Sequence, residues 1–520
     1  MTTVTDRPTR TRHRFIARAV SGVIAAASVI GFGELIAAPI QPNSSPFFAV
    51  GTTTVDRAPE WAREFAIHTF GTNDKPALFI GMSIAMVLIG ALAGLVERPR
   101  RPIGSAILVV LSLVSIYAAM QRIGADWTYA LPTVGGLIVG VAVLRLLNAN
   151  LFGTQAEQPR IDNSFLPRRK FLVLAASAAA AAAAAGAAGR YIGQRIAGIV
   201  EDRANFRLPR VTDRAKAIPA GTDIGVPGST SFVTPNDTFY RIDTALQVPQ
   251  LTTGDWQLHI HGMVDREITI DWNDLMGREP IERVITLTCV SNEVGGPLAG
   301  NATWIGYRIK DLLDEAGVHP DADMLLSTSV DGFTSGTPVE VLRDGRDAIL
   351  AVSMNAQPLP LEHGYPVRQV VPGLYGFVSA CKWVVDWELT RFDKAQAYWT
   401  KRGWGDKAPI KTASRIDVPA ALAPMQPGPI VIAGTAWAQH RGIEKVEVRI
   451  GDDEWKPATL APEYSIDTWR QWTWEWDAPT GNHIAQVRAT DLDGNVQVEE
   501  RTPPIPGGST GWHTRTFIVR

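Results

Sequence analysis

Five apolar runs crowd the first 190 residues of this chain, at 15–38, 77–96, 103–120, 131–147 and 171–189. Each is close to the roughly 20 residues a helix needs to cross about 30 Å of hydrocarbon. They lack the polar residues at helical period that would let a helix lie half-buried on a soluble core. Residues 1–190 therefore read as an anchor of about five transmembrane α-helices, and everything after them must fold separately.

The loop charges orient that anchor. Arg10, Arg12, His13 and Arg14 precede the first run; Arg98, Arg100 and Arg101 separate the second from the third; Arg160, Arg168, Arg169 and Lys170 precede the fifth. If every run spans once, all three clusters fall on one side, and the positive-inside rule makes that side cytoplasmic. The loop 39–76 and the chain beyond residue 190 are then expected outside, on a multi-pass protein of the cell membrane. Pro167-Arg168-Arg169-Lys170-Phe171-Leu172 before an alanine-rich run also resembles a twin-arginine export signal, which would keep Phe171–Gly189 as an anchor unless a small-residue site is cleaved. A membrane haem needs histidines inside the bundle, and none of the nine histidines lies within an apolar run. Glu34 and Arg145 are ionisable groups within the runs; both sit near run ends, where snorkelling to the interface accounts for them.

Charge and cysteine narrow the chemistry. With 50 Lys+Arg against 52 Asp+Glu, nothing suggests a nucleic-acid surface. Two cysteines exclude a disulfide scaffold, a Cys₄ iron–sulfur cluster and a Cys-x-x-Cys-His haem attachment. Each cysteine is left as a buried small hydrophobe, half of a disulfide, or a metal thiolate.

Beyond the anchor, 191–234 is rich in Arg, Pro and Gly and reads as a linker and entry segment. Residues 235–410 alternate short β runs with short helices, which indicates a mixed α+β domain. His259 and His261 share a strand face at period two; without a third ligand in sequence they read as an ordinary sheet face rather than a metal site. Ile309, Leu312, Leu313 and Ala316 mark one face of a helix. Asp331 to Pro338 is a Gly-rich turn that serves either as a substrate loop or as a hairpin connection. No Gly-x-Gly-x-x-Gly follows a strand, so neither a Rossmann site nor a P-loop is expected. In 411–520, Gly442–Ile450 alternates as a half-buried strand, Trp472, Trp474 and Trp476 line one face, and Asp491–Asn495 makes a tight turn; several such strands suggest an Ig-like β-sandwich.

The chemical centre is the stretch Ile285 to Asn292, where a β-rich run delivers Cys289 to a turn. The Cys-x-x-Asn turn, the block Met354 to Arg368 (MNAQPLPLEHGYPVR), the block Val370 to Gly376 (VVPGLYG) and the pair Lys382-Trp383 follow one another in an order that resembles the sulfite oxidase family of molybdopterin enzymes. Thr234-Pro235-Asn236 with Tyr240 and Arg241 resembles the family's entry to the cofactor pocket. The resemblance implies a molybdenum–molybdopterin cofactor, a Cys289 thiolate as metal ligand and catalytic residue, and a pterin pocket of Asn236, Tyr240, Arg241, Thr288, Ser291, Asn292, His363, Arg368, Ser379, Ala380 and Lys382. It also implies a C-terminal dimerisation domain and so a homodimer. The pattern departs where sulfite oxidases carry anion-binding arginines: Ile242, Asp243 and Thr244 fill the first such stretch, with Arg241 one place early, and Glu293 and Val294 stand after the Cys-x-x-Asn turn. Gln396 replaces a family tyrosine, and Tyr398 is displaced from it. The expectation is a membrane-anchored molybdopterin oxidoreductase performing two-electron oxygen-atom transfer on S- or N-oxide substrates, small molecules or oxidised residues. Sulfite dehydrogenation and a non-catalytic tethered binding protein are the alternatives. With no haem or iron–sulfur centre expected, electrons must come from a separate partner or quinol.

Overall fold

The computed structural model describes residues 7–70, 73–122, 125–152, 166–196 and 198–520. The chain forms two compact units, 1–200 with 245–250, and 201–244 with 251–520.

The first unit is helical: α1 (Arg7–Ala37), α2 (Pro46–Arg57), α3 (Glu60–Phe70), α4 (Asp74–Val96), α5 (Ile103–Met120), α6 (Leu131–Phe152) and α7 (Leu166–Ile196). Five segments are long and apolar enough to span a membrane: Arg14–Ala37, Asp74–Val96, Ile103–Met120, Trp127–Leu151 and Arg169–Gly193. They coincide with the five runs read from the sequence. The loop 39–76 holds α2 and α3, which the sequence reading did not anticipate; both are too short to register as spans. Arg160 lies outside the described residues.

Small residues let α1 sit against α4 and α6. A Cβ on Gly22 would come within 1.9 Å of the Gly90 carbonyl, one on Gly94 within 2.0 Å of the Arg18 carbonyl, and one on Gly136 within 2.1 Å of the Val29 carbonyl. In hydrocarbon, where apolar burial between helices supplies no drive, such close backbone approach is what packs them. Glu97 closes the α4–α5 turn: its carboxylate accepts from the Ser105 amide and hydroxyl at 2.8 and 2.9 Å, capping the free N–H groups of α5. Glu34 corrects an expectation. It does not snorkel; it is buried, and its carboxylate accepts a hydrogen bond from Ser45 at 2.7 Å. The chain turns back at 39–45 and brings that hydroxyl to it. Arg145 is exposed.

In the second unit, α8 (Ile199–Asn205) leads into a segment without strands that packs down rather than hanging free. Arg203 donates to the Leu359 and Pro358 carbonyls, and Asp202 accepts from Tyr365 and Thr253. Ten strands follow: β1 (Gln257–Gly262), β2 (Ile268–Asp271), β3 (Ile281–Thr288), β4 (Ala299–Arg308), β5 (Met324–Ser329), β6 (Thr334–Pro338), β7 (Ile349–Met354), β8 (Gln357–Pro358), β9 (Arg368–Val370) and β10 (Val384–Thr390). One sheet has the order β2-β1-β10-β5-β6, with β1 and β10 parallel; the other runs β3-β4-β7-β8, with β9 on β7. Short helices α9 (Trp272–Met276), α10 (Ile309–Ala316), α11 (Val339–Arg343) and α12 (Gly376–Ser379) connect them. The α10 stripe of Ile309, Leu312, Leu313 and Ala316 is buried as its period requires. Residues 331–338 are a hairpin connection leading into β6, with Gly332 at φ 95° in the turn. The result is the mixed domain expected.

Nine further strands close the chain: β11 (Ala413–Val418), β12 (Pro424–Met425), β13 (Gly428–Trp437), β14 (Ile443–Ile450), β15 (Lys456–Pro457), β16 (Thr459–Leu460), β17 (Arg470–Ala478), β18 (Gly481–Asp491) and β19 (His513–Val519). They form sheets β11-β13-β17-β16 and β12-β19-β18-β14-β15. Ile416, Ile432 and Trp472 from the first share one core with Val446, Val448, Val487 and Phe517 from the second, and Trp474 and Trp476 pack on it. Strict alternation in β14 is broken by a register shift between Ile443 and Lys445, which lets Ile443 and Val446 both face inward.

Candidate active site

Strand β3 is buried along most of its length, so it can hold Cys289 without reference to solvent. The chain turns at once: the Cys289 amide donates to the Leu298 carbonyl at 2.9 Å, and the Asn292 amide donates to the Cys289 carbonyl at 3.1 Å. Asn292 locks the turn from inside, its side-chain oxygen accepting from the Leu298 amide at 2.8 Å. Thr288 is tied to the C-terminal sheets, its hydroxyl accepting from Gln439 at 2.8 Å. Burial pushes the Cys289 thiol up, while hydrogen bonds from Ser291 and the charge of Lys382 pull it down. Cys289 and Cys381 are both buried and unpaired thiols, which removes the disulfide alternative.

Around this turn the structure gathers cations. Arg368, on β9, is buried and donates only to main-chain oxygens, those of His363 at 3.1 Å and Gln369 at 3.4 Å, with its guanidinium 5.2 Å from the Trp304 ring centroid. Among the described residues it pairs with no carboxylate. Its burial lowers it to about 10. Lys382 faces it across a β-bridge, 8% exposed, and burial lowers its ammonium to about 8. His363 is 2% exposed, its ring edge-on to Phe239 at 5.6 Å, and its Nδ1 has no hydrogen-bond partner. Burial, with Lys382 and Arg368 nearby, depresses it to about 3, so the imidazole is neutral. Tyr240 lies in the fields of Cys289 and Arg368; burial raises its phenol, which keeps its proton.

Asn236 is held by its amide donating to the Met354 carbonyl at 3.2 Å and by Asn355 donating to its oxygen at 2.8 Å. Ser379 is wholly buried in α12, its hydroxyl donating to the Tyr375 carbonyl at 3.0 Å; Ala380 ends that helix, its amide bonded to Gly376 at 2.9 Å. The residues singled out in the sequence thus converge from segments far apart in the chain, all within the second unit.

Two carboxylates were missed. Asp243, its side chain 6% exposed, accepts from Lys382 at 3.0 Å and Arg241 at 2.9 Å. The segment is irregular rather than a strand, yet Arg241 and Asp243 still meet on one side while Ile242 is 41% exposed. Asp331, in the β5–β6 turn, is half-buried, and desolvation raises its carboxyl, with Asp243 adding to the shift. Asp243 was legible as a departure; its partner was not.

A buried guanidinium without a carboxylate among the described residues, a buried neutral imidazole with an unused nitrogen, and a buried thiol are donors that suit an anionic, hydrogen-bonding ligand with a soft metal. The donor set fits a phosphate-bearing pterin carrying molybdenum.

Comparison with known proteins agrees. Residues 245–399 match the family model described as the oxidoreductase molybdopterin binding domain. Mitochondrial sulfite oxidase of Homo sapiens is 27% identical over 330 residues, covering 52% of this chain and 58% of that protein; the Drosophila melanogaster protein is 29% identical over 313 residues, covering 50% and 53%. The matched portion is similar to the sulfite oxidases. It is a molybdenum cofactor-dependent oxidoreductase domain, as the motif order implied. The chain spans little more than half the length of those two relatives. The uncharacterized oxidoreductase YuiH of Bacillus subtilis is 29% identical over 165 residues, 30% of this chain and 80% of that one. Among solved structures, sulfane dehydrogenase SoxCD of Paracoccus pantotrophus overlays with a TM-score of 0.49 at 22% identity, covering 61% of this chain and 91% of that one.

Proposed function

We propose that this protein is a membrane-anchored oxidoreductase that removes oxygen from neutral or zwitterionic S- or N-oxides on the outer side of the membrane. Asp243 carries the reading. A small dianion such as sulfite needs uncompensated cationic charge at its site; here the buried Asp243 carboxylate pairs with Lys382 and Arg241, and Arg368, which has no carboxylate partner among the described residues, would be taken up by the pterin phosphate. A neutral oxide needs only a hydrogen-bond donor at its oxygen, and the Tyr240 phenol, which keeps its proton in the field of Cys289, would serve as one. When bound, molybdenum supplies two-electron oxygen-atom transfer chemistry. Cys289 would ligate it; Asn236, Tyr240, His363 and Arg368 would hold the pterin and its phosphate, with Arg241, Thr288, Ser291, Asn292, Ser379, Ala380 and Lys382 lining the same pocket. Reducing an oxide to its sulfide or amine takes two electrons and two protons and releases water; a separate carrier or quinol would deliver the electrons.

The arrangement we infer for the whole chain is an anchor at 1–190, an entry segment at 191–234, the catalytic domain at 235–410 and an Ig-like dimerisation domain at 411–520. Two sheets sharing one core support the last assignment. Sulfite dehydrogenation is the second reading, favoured by the names of the curated relatives.

The test compares the purified, molybdenum-loaded chain with Asp243→Asn and Cys289→Ser. Dye-coupled reduction of a methyl sulfoxide by the wild type, with no sulfite oxidation, supports the proposal, and Asp243→Asn should then gain affinity for sulfite at least about 10-fold. Sulfite oxidation by the wild type and no sulfoxide turnover would reverse the assignment. Cys289→Ser should lose activity in either case, with altered metal spectra.

A further inference from the structure

The second unit carries a cluster of metal-ligating side chains outside the cofactor pocket. On β1, His259 and His261 project from one face of the sheet while Leu258 and Ile260 fill the core on the other. In sequence the pair lacked a third ligand. The fold supplies it: β10 lies parallel to β1 in a register that sets Asp386 beside His259. The His261 Nε2 is 3.1 Å and the His259 Nδ1 3.5 Å from the Asp386 carboxylate. One ligand atom from each of the three residues lies within 4.8 Å of the others. Ligands bound at about 2.0–2.1 Å in a tetrahedral shell stand roughly 3.3 Å apart, close to the two nitrogen-to-carboxylate distances of 3.1 and 3.5 Å.

A nitrogen of each imidazole lies beside the same carboxylate, with the rings stacked at 4.5 Å between centroids, so a modest ring rotation would turn both lone pairs to one ion. On its far side the His259 Nε2 lies 3.7 Å from the Glu267 carboxylate, whose charge favours a proton on Nε2 and leaves the Nδ1 lone pair for a metal. Metal-bound histidines ordinarily carry such an outer carboxylate. Among the described residues no lysine or arginine pairs with Asp386 or Glu267, so the face is short of positive charge. The three ligand side chains are 43%, 28% and 30% exposed, open enough for an ion to enter and for water to complete its shell.

We propose that His259, His261 and Asp386 form a binding site for a divalent transition ion of the zinc class, with Glu267 orienting His259. Two imidazoles and one carboxylate suit Zn²⁺, Co²⁺ or Ni²⁺ and disfavour Ca²⁺ and Mg²⁺, which take oxygen ligands. The ion would clip β1 to β10, strands joined only through a long intervening chain, and stabilise the folded state by mass action. The proposal is independent of the substrate assigned to the cofactor pocket.

The experiment titrates the full-length, cofactor-loaded chain in detergent with Zn²⁺ alone, following bound metal and melting temperature. Loaded cofactor keeps Cys289 out of competition. One equivalent should bind with a concentration-dependent rise in melting temperature; His261→Ala and Asp386→Asn should each weaken binding at least about 10-fold, and Glu267→Gln by about 10-fold through its orienting role. His483→Ala, on another sheet, should change nothing. X-ray absorption of the bound zinc should show imidazole nitrogen at about 2.0–2.1 Å. Affinity unchanged in Asp386→Asn, an isosteric substitution, or binding lost equally in His483→Ala, would overturn the proposal, as would saturation with no imidazole in the shell.

Discussion

At the scale of single residues, the pocket is defined by groups whose ordinary charge has been withdrawn. His363 is the clearest. Folded, it titrates near 3, because burial and two neighbouring cations oppose its protonation; unfolded, it titrates near 6.5. Between those values only the unfolded chain takes up the proton, so stability falls as pH drops from about 6.5 toward 3. His363→Gln removes that titration. Its melting temperature should decline less steeply over this window than the wild type's, the difference amounting to at most about 1.4 kcal/mol per pH unit; parallel pH profiles would show that His363 is not buried as described. Asp243 makes a related point. Its position was readable as a break in a familiar pattern, but that it neutralises Lys382, 139 residues away, follows only from the closed pocket.

Among elements, β3 decides where Cys289 sits, and the C-terminal sheets hold β3. Gln439, which follows β13, donates to the Thr288 hydroxyl at 2.8 Å, and the Trp469 amide donates to the Thr286 hydroxyl at 2.8 Å. Two residues on one face of the cysteine's own strand are thus fixed by a layer more than 140 residues downstream. Gln439→Leu keeps the volume but leaves Thr288 without its donor, at a cost of about 1–3 kcal/mol. Thermal unfolding should report that loss, and the molybdenum spectrum of the loaded protein should shift as the Thr288–Cys289 turn relaxes. An unchanged spectrum with unchanged stability would remove Gln439 from the support of the site. No local pattern marked Gln439. By contrast the α10 stripe and the tryptophans of β17 were legible because a helix of period 3.6 and a strand of period two each write burial directly into the sequence.

For the whole molecule, the proposed orientation, with residues 200–520 outside, rests on the flanking cations of the five apolar helices. Protease added to right-side-out vesicles should digest that portion without lysis; protection until lysis would invert the topology. Arg168→Lys with Arg169→Lys keeps the positive charge of the flank, so a block in export would favour the twin-arginine reading, whereas normal export would leave only the positive-inside effect.

Hydrophobic run length, the motif order around Cys289 and the alternation of short strands with short helices are local properties of the chain, and from them alone came the membrane spans, the mixed domain, the family and the cofactor. Tertiary structure decided what depends on groups distant in sequence meeting in a low-dielectric interior. Glu34 found Ser45 and so stayed buried; Asp243 found Lys382 and pairs with it; Asp386 came beside His259 because a parallel pairing set the register. Electrostatic interactions act through space, and only the folded chain says which charges are near.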